Sequence, residues 1–404
     1  MKILQINMMD MFSTGNIMLN IAKVARQRGY EAVTASKYCK MSIDLQRKDS
    51  NHLYIGNRFT NTIHRYWAWI TDLQDTGSIY STKKFIRQIE EINPDIIHLH
   101  DVVGWYINID LLFNYLRKKR TPVVWTFHDC WAFTGRCIYF DSVGCERWKT
   151  GCGKCPQIGY MPRTWYFDLS AWNFRRKKRL FTAINNMTIV TPSVWLKDLT
   201  EQSFLRGADI RVINNGINLS VFKPSKGEIY EDLVQDGRKI VLGVAGTWSV
   251  RKGLDVFLKL ADDLPDDYKI VLVGLSQDEI GRESKIKAIR RTSNQHELAQ
   301  IYSAAAVFAN PTFEDNFPTV NLESLACGTP VITYKTGGSP ESVTDGTGMV
   351  VEQGDYQAFK AGILSITQCV KSAYHDACLK ESKKYDMMAR FNDYVDLYEE
   401  ILNR

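Results

Sequence analysis

Short apolar runs and amphipathic stretches alternate along the first half of the chain. One amphipathic stretch, residues 17–28, carries Leu19, Ala22 and Val24 and is followed by Gly29, which predicts a helix. This alternation is typical of a parallel sheet wrapped by helices. The apolar runs predict strands at residues 2–7, 31–35, 94–100, 122–127, 187–191 and 211–213.

The same pattern restarts after a polar stretch at residues 224–238. Two successive units of this type favour an α/β protein with two Rossmann-like domains facing each other across a cleft, and such clefts are favoured ligand sites. We place the N-terminal domain at residues 1–216 and the C-terminal domain at residues 217–384. In the second domain the pattern predicts strands at residues 240–245, 269–273, 305–309 and 330–334, with helices at residues 254–261 and 320–327.

Composition and charge limit the kinds of ligand and partner that the protein is expected to bind. The 404 residues are 45% hydrophobic, which is ample for two cores. A formal charge of +6 without a dominant basic stripe suits an anionic small ligand or an anionic membrane surface better than nucleic acid. No apolar run approaches the roughly 20 residues of a membrane-spanning helix. The start MKILQIN lacks the features of a signal peptide, so we expect a cytoplasmic protein.

Residues 130–160 break the strand–helix pattern and are rich in cysteine, glycine and aromatic residues. In a reducing compartment, four thiolates at suitable spacing can hold a structural Zn²⁺ that staples a loop too short to have its own core. A disulfide pair or free thiols are the alternatives. The spacing C-x7-C-x6-C-x2-C is formed by Cys137, Cys145, Cys152 and Cys155.

The stretch most informative for chemistry is residues 310–341, a predicted strand–helix–strand unit. Asp315 lies in its loop and Glu323 in its helix. Carboxylates suit sugar hydroxyls, because one carboxylate accepts two hydrogen bonds and fixes the orientation of the sugar. This stretch therefore predicts a site for hydroxyl groups.

A second informative stretch is the loop at residues 246–253, which carries Arg251 and Lys252 just before a predicted helix. The helix dipole disfavours cations at that end, so the pair indicates an anionic partner such as a diphosphate. A solvated cation pair is the alternative. Recognition of a diphosphate and of hydroxyls together points to a nucleotide-sugar.

Several runs resemble a known family. EDNFPTVNLESLACGTPVI, GGSPESV and GMVVEQGD are similar to the donor-binding core of family 4 glycosyltransferases. PDIIHLHD, VVWTFHD, TPSVW, VINNGINLSVFKP and RKG follow in the family's order, so the resemblance covers nearly the whole chain. It implies the GT-B fold and a retaining transfer of a sugar from a UDP- or GDP-sugar to a hydroxyl of a glycan or lipid-linked saccharide.

Two segments extend the resemblance. The cysteine-rich insert is similar to that of a subgroup found in bacterial capsular and exopolysaccharide clusters, which implies a role in surface polysaccharide synthesis. Residues 385–404 are similar to the family's C-terminal helix that crosses back onto the N-terminal domain.

The resemblance implies roles for individual residues. Glu323 would hold the ribose hydroxyls, Lys252 the donor diphosphate, and Gly15 would lie in the loop that faces the phosphates. His128 would approach the sugar near its reacting carbon, although a strand-end histidine is as readily a structural hydrogen-bonding residue. The backbone facing the transferred sugar would be that of Phe317, Pro318, Thr319 and Val320.

The chain departs from the family pattern at two positions. The first family Glu falls on Asp315, and the adjacent Glu314 is able to substitute for it. The Arg expected after Gly246 is Thr247, which leaves Arg251 as a compensator. The family mechanism is same-face attack in which the leaving phosphate accepts the acceptor's proton, so it requires no cofactor or metal for catalysis.

Aromatic residues and cations of the N-terminal domain suggest an acceptor surface that touches anionic lipid at the inner face of the cell membrane. Solvated helix faces and core tryptophans are the alternative. The cations are the runs at residues 117–120 and 175–179, and the tryptophans are Trp67, Trp69, Trp105, Trp131, Trp165 and Trp172.

Two rival functions accompany the glycosyltransferase interpretation. An NDP-sugar epimerase of the same two-domain shape would need no acceptor, and VINNGIN and DNFPTVNLE argue against it. A non-catalytic assembly protein with a zinc-stapled insert is supported only by Asp315 and Thr247, the two departures from the family pattern.

Overall fold

The computed structural model describes residues 1–40, 51–160, 162–281, 285–369 and 371–404. Contacts divide the chain into two compact units. Unit 1 comprises residues 1–213 and 391–404, and unit 2 comprises residues 214–390. The predicted boundaries, after residues 216 and 384, lie a few residues from these divisions.

Unit 1 is built on a parallel sheet with the strand order β3-β2-β1-β4-β5-β6-β7. Its central strands read as continuous apolar runs because helices cover both faces of a parallel sheet. The strands are β1 (Lys2–Asn7), β2 (Glu31–Lys37), β3 (His52–Ile55), β4 (Ile96–Leu99), β5 (Val123–Thr126), β6 (Met187–Thr191) and β7 (Asp209–Val212). The helices are α1 (Phe12–Gln27), α2 (Arg58–Thr71), α3 (Ile79–Ile92), α4 (Ile109–Lys119), α5 (Ser170–Phe181) and α6 (Val194–Gln202).

Unit 2 repeats this plan with the strand order β10-β9-β8-β11-β12-β13, again parallel. Its strands are β8 (Lys239–Val244), β9 (Tyr268–Val273), β10 (Ile286–Ile289), β11 (Val307–Asn310), β12 (Val331–Tyr334) and β13 (Gly348–Val351). Its helices are α7 (Glu228–Val234), α8 (Leu254–Asp263), α9 (Gln277–Ile280), α10 (Gln295–Ala304), α11 (Thr319–Ala326), α12 (Tyr356–Gln368) and α13 (Ser372–Ser382). The helix α14 (Met387–Leu402) follows α13.

Each sheet has one point where the strand order reverses, between β1 and β4 in unit 1 and between β8 and β11 in unit 2. In open α/β sheets, ligands bind outside the carboxyl ends of the strands at this switch point. Gly15 lies in α1, the helix after β1, and His128 lies in the loop after β5, while the loops after β8 and β11 hold Lys252 and Asp315. The predicted site residues therefore follow strands at or next to the two switch points.

The aromatic residues of the insert at residues 130–160 belong to the hydrophobic core of unit 1 and do not form a separate core. Phe133, Phe140 and Trp148 are buried, and the Phe133 and Phe140 rings lie 5.3 and 4.9 Å from the Trp148 ring. Short 3-10 turns connect these aromatic residues. The insert is therefore held by aromatic packing, which its irregular sequence pattern did not reveal.

The last helix contributes to unit 1 through its aromatic face. Tyr398 Oη lies 2.6 Å from Nδ1 of His98, whose Nε2 lies 2.8 Å from Oγ1 of Thr126. Tyr394, Tyr398 and His98 are all buried. His98 is thus a structural hydrogen-bonding residue between β4, β5 and α14.

Candidate active site

In unit 1 the candidate residue His128 belongs to a chain of polar side chains along the carboxyl edge of the sheet. His128 Nε2 lies 3.1 Å from Nδ1 of His100, and the two rings stack at 5.4 Å. His100 Nε2 lies 3.0 Å from Oε1 of Gln5. Both ring nitrogens of His100 have partners, so the orientation of His128 is constrained by Gln5 of β1 and by His100, which directly follows β4.

Burial sets the charge of these histidines. It lowers the pKa of His128, and the nearby Asp101 opposes that shift only partly. Burial also lowers the pKa of His100 well below its usual range, with the neighbouring histidines adding to the effect. At neutral pH both rings are therefore neutral, so His128 acts as a hydrogen-bonding group and not as a fixed cation.

Gly15 lies in the first turn of α1, and not in a preceding loop as the sequence pattern suggested. A Cβ at this position would lie 2.7 Å from the backbone carbon of Asp10 and 2.9 Å from the carbonyl oxygen of Met9. Any side chain would therefore push the loop after β1 away from the helix. The glycine keeps this loop against the N-terminal turn, where unpaired N–H groups favour an anion.

In unit 2, Lys252 and Asp315 meet although they are 63 residues apart in sequence. Lys252 Nζ donates to Oδ2 of Asp315 at 2.6 Å, and their side chains are 22% and 17% exposed. Arg251 lies beside this pair and donates from Nη1 to the carbonyl oxygen of Glu314 at 3.1 Å. Lys252, Arg251 and Asp315 thus form one group that solvent can reach.

The two possible first acids differ in their surroundings. Asp315 is half-buried and faces Lys252, whereas the Glu314 side chain is buried. Thr247, which stands where the family has Arg, is exposed. Arg251 is therefore the arginine that accompanies Lys252 in this loop.

Two glycines allow the loops of unit 2 to approach each other. Gly253 has φ +74°, and a Cβ there would lie 2.4 Å from the carbonyl oxygen of Pro311. Gly337 has φ +55°, and a Cβ there would lie 1.7 Å from the carbonyl oxygen of Asp315. Gly338 N–H donates to the carbonyl oxygen of Asn316 at 3.0 Å. Both positions require glycine, and Gly337 lies directly against the backbone of Asp315.

The segment expected to face the sugar runs into the start of α11. Phe317 and Pro318 are buried, and Thr319 and Val320 are half-buried. The carbonyl oxygen of Phe317 accepts from Nδ2 of Asn215 at 3.2 Å. Asn215 is a residue of the VINNGIN run whose contact with this segment sequence reasoning missed.

Glu323 lies on α11 with its carboxylate in a sheltered position. Burial raises its pKa to about 7, and the hydroxyl of Tyr302, which donates to Oε2 at 3.0 Å, opposes that shift. Tyr302 comes from α10 and was not identified from the sequence. Close to neutral pH this carboxyl therefore changes charge.

A buried amide network holds α11 in place. Asn310 Nδ2 donates to Oδ1 of Asn321 at 2.8 Å, and Asn321 Nδ2 donates to the hydroxyls of Ser339 at 3.0 Å and Ser342 at 3.1 Å. These residues join β11, α11 and the turn after Gly338. Satisfied buried networks of this kind specify one arrangement, so this network fixes the position of Glu323 relative to Asp315.

The zinc hypothesis for the insert is not supported. Cys137, Cys145, Cys152 and Cys155 line one small cavity, yet within the described ranges no three or more Cys, His, Asp or Glu side chains are arranged to hold a metal ion. Burial raises the pKa of Cys137 to about 12 and that of Cys152 to about 11. None of the nine cysteines, each of which lies in a described range, forms a disulfide.

The basic run at residues 175–179 also differs from expectation. Arg176 is buried and donates from Nε to Oδ2 of Asp110 at 2.8 Å. Lys177 is buried, with Nζ 3.5 Å from the centroid of the Trp131 ring and donating to the carbonyl oxygen of that residue at 2.8 Å. These two cations and Trp131 are therefore structural and do not face lipid.

Comparisons with known protein families cover both units. A sequence-family model described as "Glycosyltransferase Family 4" matches residues 14–221, and one described as "Glycosyl transferases group 1" matches residues 238–368. The glycosyl transferase WcaC of Escherichia coli (strain K12), whose name refers to colanic acid biosynthesis, is 24% identical over 333 residues. The alignment covers 76% of this chain and 77% of that protein.

Solved structures match the fold over the full length. A glycosyltransferase from Rickettsia africae has a TM-score of 0.71 at 16% identity, covering 99% of this chain and 98% of that one. Alr3699/HepE of Anabaena, solved in complex with UDP, has a TM-score of 0.68 at 16% identity, covering 99% and 100%. The prediction of two Rossmann-like domains of the GT-B type is thereby confirmed.

Proposed function

We propose, from the premise that this chain belongs to glycosyltransferase family 4, that the enzyme moves a sugar from a UDP- or GDP-sugar to a hydroxyl of a glycan or lipid-linked saccharide. The comparisons favour a transferase over the epimerase and the non-catalytic alternatives. The observation that carries the donor assignment is the group formed by Lys252, Arg251 and Asp315 at the switch point of unit 2. The Anabaena neighbour was solved with UDP-glucose, which supports a nucleotide-sugar donor.

The chemistry follows from the charges of this group. In the proposed step the acceptor oxygen attacks the anomeric carbon, the bond from that carbon to the diphosphate oxygen breaks, and the acceptor's proton passes to the leaving diphosphate. Negative charge therefore develops on the diphosphate, and Lys252 and Arg251 stabilise it. Attack from the face that the diphosphate leaves retains the anomeric configuration.

We propose further roles in substrate binding for residues of each unit. In unit 2, Glu323 binds the ribose hydroxyls, and the backbone of residues 317–320 faces the sugar. In unit 1, His128 forms a hydrogen bond with the transferred sugar, as donor or as acceptor, and the turn at Gly15 faces the phosphates. The similarity to WcaC supports a role in surface polysaccharide synthesis.

The function is tested by binding and then by product analysis. Saturation-transfer NMR with a panel of UDP- and GDP-sugars should show binding of one nucleotide class. Incubation with acceptor saccharides should then give a product whose new linkage has the anomeric configuration of the donor. Absence of binding to every nucleotide contradicts the transferase assignment, and an inverted linkage contradicts retention alone.

The pKa of Glu323 leads to a pH prediction for UDP binding. A carboxylate accepts both ribose hydroxyls, whereas the protonated acid has less acceptor capacity. Since burial raises the pKa to about 7, UDP affinity should increase as the pH rises through 7. We expect about tenfold tighter binding at pH 8.0 than at pH 5.5, measured by calorimetry.

Two variants separate this effect from titration of the nucleotide's own phosphate. Glu323→Gln should bind weakly with little dependence on pH beyond that of the phosphate. Tyr302→Phe removes the hydrogen bond that stabilises the carboxylate, so its midpoint should move to higher pH. A wild-type pH profile in Glu323→Gln would exclude the ribose role.

We also propose that the outer face of α2 contacts an anionic membrane surface. Phe59, Ile63, Trp67 and Ile70 lie on one side of this helix and are 73%, 53%, 47% and 42% exposed. The helix begins with the exposed Arg58, and aromatic residues beside cations suit the membrane interface. Within the described ranges, no helix is both long enough and apolar enough to cross a bilayer.

Vesicle flotation tests this contact. Wild-type protein should float with vesicles that contain anionic lipid, and Phe59→Ser combined with Trp67→Ser should weaken the association about tenfold or more, because two large side chains no longer enter the interface. Leu258→Ser, at a 43% exposed position of unit 2, is the matched control. Equal flotation of the double variant and the wild type would refute the assignment of this face.

A further inference from the structure

A group of tryptophans and cations in unit 1 has no role in the function described so far. We call it the Trp69 cluster and define it by Trp69, Trp105, Trp165, Arg65, Arg163 and Lys37. The Trp69 ring lies 5.9 Å from the Trp105 ring and 5.4 Å from the Trp165 ring. The N–H of Trp165 donates to the carbonyl oxygen of Trp69 at 2.7 Å, and Trp165 is 43% exposed. The cluster is therefore ordered and reaches the surface.

Three cations surround these rings. The guanidinium carbon of Arg163 lies 4.4 Å from the centroid of Trp69 and that of Arg65 lies 5.1 Å from it, while Lys37 Nζ lies 5.6 Å from the centroid of Trp105. Within the described ranges none of the three forms an ion pair with a carboxylate. Burial lowers the pKa of Lys37, and the nearby positive charge of Arg65 lowers it further; Cys39 and Asp75 oppose this.

The cluster also contains hydrogen-bond donors without acceptors. The Nε1–H groups of Trp69 and Trp105 and the Nε–H of Arg65 are buried and have no partner in the described part of the chain. Buried polar groups are nearly always hydrogen-bonded, and each such exception needs an explanation. All three groups are donors, so a ligand that satisfies them must supply acceptors.

The position of the cluster connects it with the candidate active site. Lys37 is the last residue of β2, and Trp105 lies in the loop after β4, so both are at the sheet edge that carries His128. Lys37 Nζ donates to the carbonyl oxygen of Gly104 at 3.1 Å, which holds this loop. Trp105 has φ +61°, which is unusual for a bulky residue and is found where surrounding contacts impose it.

From these observations we infer that the Trp69 cluster is an acceptor subsite for an acidic sugar residue, one that carries a carboxylate or a phosphate group. The indole faces pack against the apolar face of the sugar ring, the unpaired N–H groups donate to its oxygens, and Arg65, Arg163 and Lys37 bind its anionic group. The inference rests on the proposed transferase function, because it assigns the class of acceptor.

Saturation-transfer NMR titrations with three probes test the subsite: methyl glucuronide, glucose 6-phosphate and the neutral methyl glucoside. One or both acidic probes should bind at least tenfold more tightly than the glucoside, and the pair distinguishes a carboxylate from a phosphate. The combination of Arg65→Gln and Arg163→Gln should remove this preference. Arg175→Gln, at an exposed arginine of α5, is the matched control and should retain it.

A second variant distinguishes loss of binding from loss of folding. Trp69→Phe keeps an aromatic ring but removes the unpaired N–H, and it should weaken binding of all three probes while the thermal midpoint of unfolding stays close to that of the wild type. UDP binding, which involves unit 2, should be unchanged in every variant. Equal affinity for acidic and neutral probes, or an unchanged preference in the double glutamine variant, overturns the subsite.

The outcomes also separate this inference from its premise. If neither UDP nor GDP binds to the wild-type protein, the donor assignment fails. If either nucleotide binds but no acidic sugar is preferred, the subsite alone fails. Loss of anionic vesicle binding in the double glutamine variant, without any sugar preference in the wild type, would assign Arg65 and Arg163 to the membrane contact and overturn the subsite as well.

Discussion

Replacing Lys252 with alanine should lower kcat/KM for glycosyl transfer about 10³-fold, which corresponds to about 4 kcal/mol of lost transition-state stabilisation. The ammonium group is partly exposed at the switch point of unit 2, where it pairs with Asp315 at 2.6 Å. The leaving diphosphate gains charge as its bond to the sugar breaks, so the contact is stronger in the transition state than in the bound donor. The loss should therefore appear in kcat as well as in KM.

Steady-state kinetics with the identified donor measure this effect. Lys335→Ala is the matched control, because Lys335 is an exposed lysine of the same unit that pairs with Glu352 on the surface. It should retain wild-type kinetics. Turnover at the wild-type rate by Lys252→Ala would exclude the proposed role in catalysis.

Replacing Asp315 and Glu314 separately with alanine should distinguish the two possible first acids. Asp315 faces Lys252 and is reachable by solvent, whereas the Glu314 side chain is buried. We expect Asp315→Ala to reduce transfer about 10²-fold or more through lost contacts to the sugar. It should bind UDP at least as tightly as the wild type, because Lys252 no longer has a competing carboxylate partner.

Glu314→Ala should behave differently. Removing a buried charged side chain leaves its neighbours unsatisfied, so the free energy of unfolding should fall by about 1–3 kcal/mol while the folded enzyme keeps most of its activity. Thermal unfolding and UDP titration of both variants, together with kcat, give the comparison. The reverse order of effects on kcat would assign the first-acid role to Glu314.

Residues whose roles follow from local pattern could be predicted from the sequence. The strands of both units are apolar runs because parallel strands are covered on both faces, and β1, β5, β6, β8, β9 and β12 lie within a few residues of their predicted positions. Lys252 and Asp315 lie in loops after strands, which is where the strand–helix pattern places ligand-binding residues. The prediction that Gly15 lies in a loop was wrong, because α1 already begins at Phe12.

Other features depend on contacts between distant segments and had no local signal. The helix around Arg65 is an exception, because the capping box between Asn57 and Thr60 at the start of α2 is a local signal that the sequence analysis missed. The basic run at residues 175–179 reads as solvated, yet Arg176 and Lys177 point inward because Asp110 and Trp131 lie beneath them. The aromatic packing of the insert has no periodic pattern in the sequence. The cysteine spacing was therefore the only feature that the sequence offered for this segment, and it suggested zinc.

The sequence by itself determined the two-domain α/β class, the family resemblance and the residue types available for donor binding, because alternating polarity and short motifs are properties of neighbouring residues. Only the tertiary structure decided which charges meet. Two contacts join segments that are apart in the chain: the ion pair of Lys252 with Asp315 and the hydrogen bond of Tyr302 to Glu323. The unpaired donors around Trp69 likewise come from separate segments that only folding brings together. The physical reason is that burial and distance, which set pairing and pKa, exist only after the chain has folded.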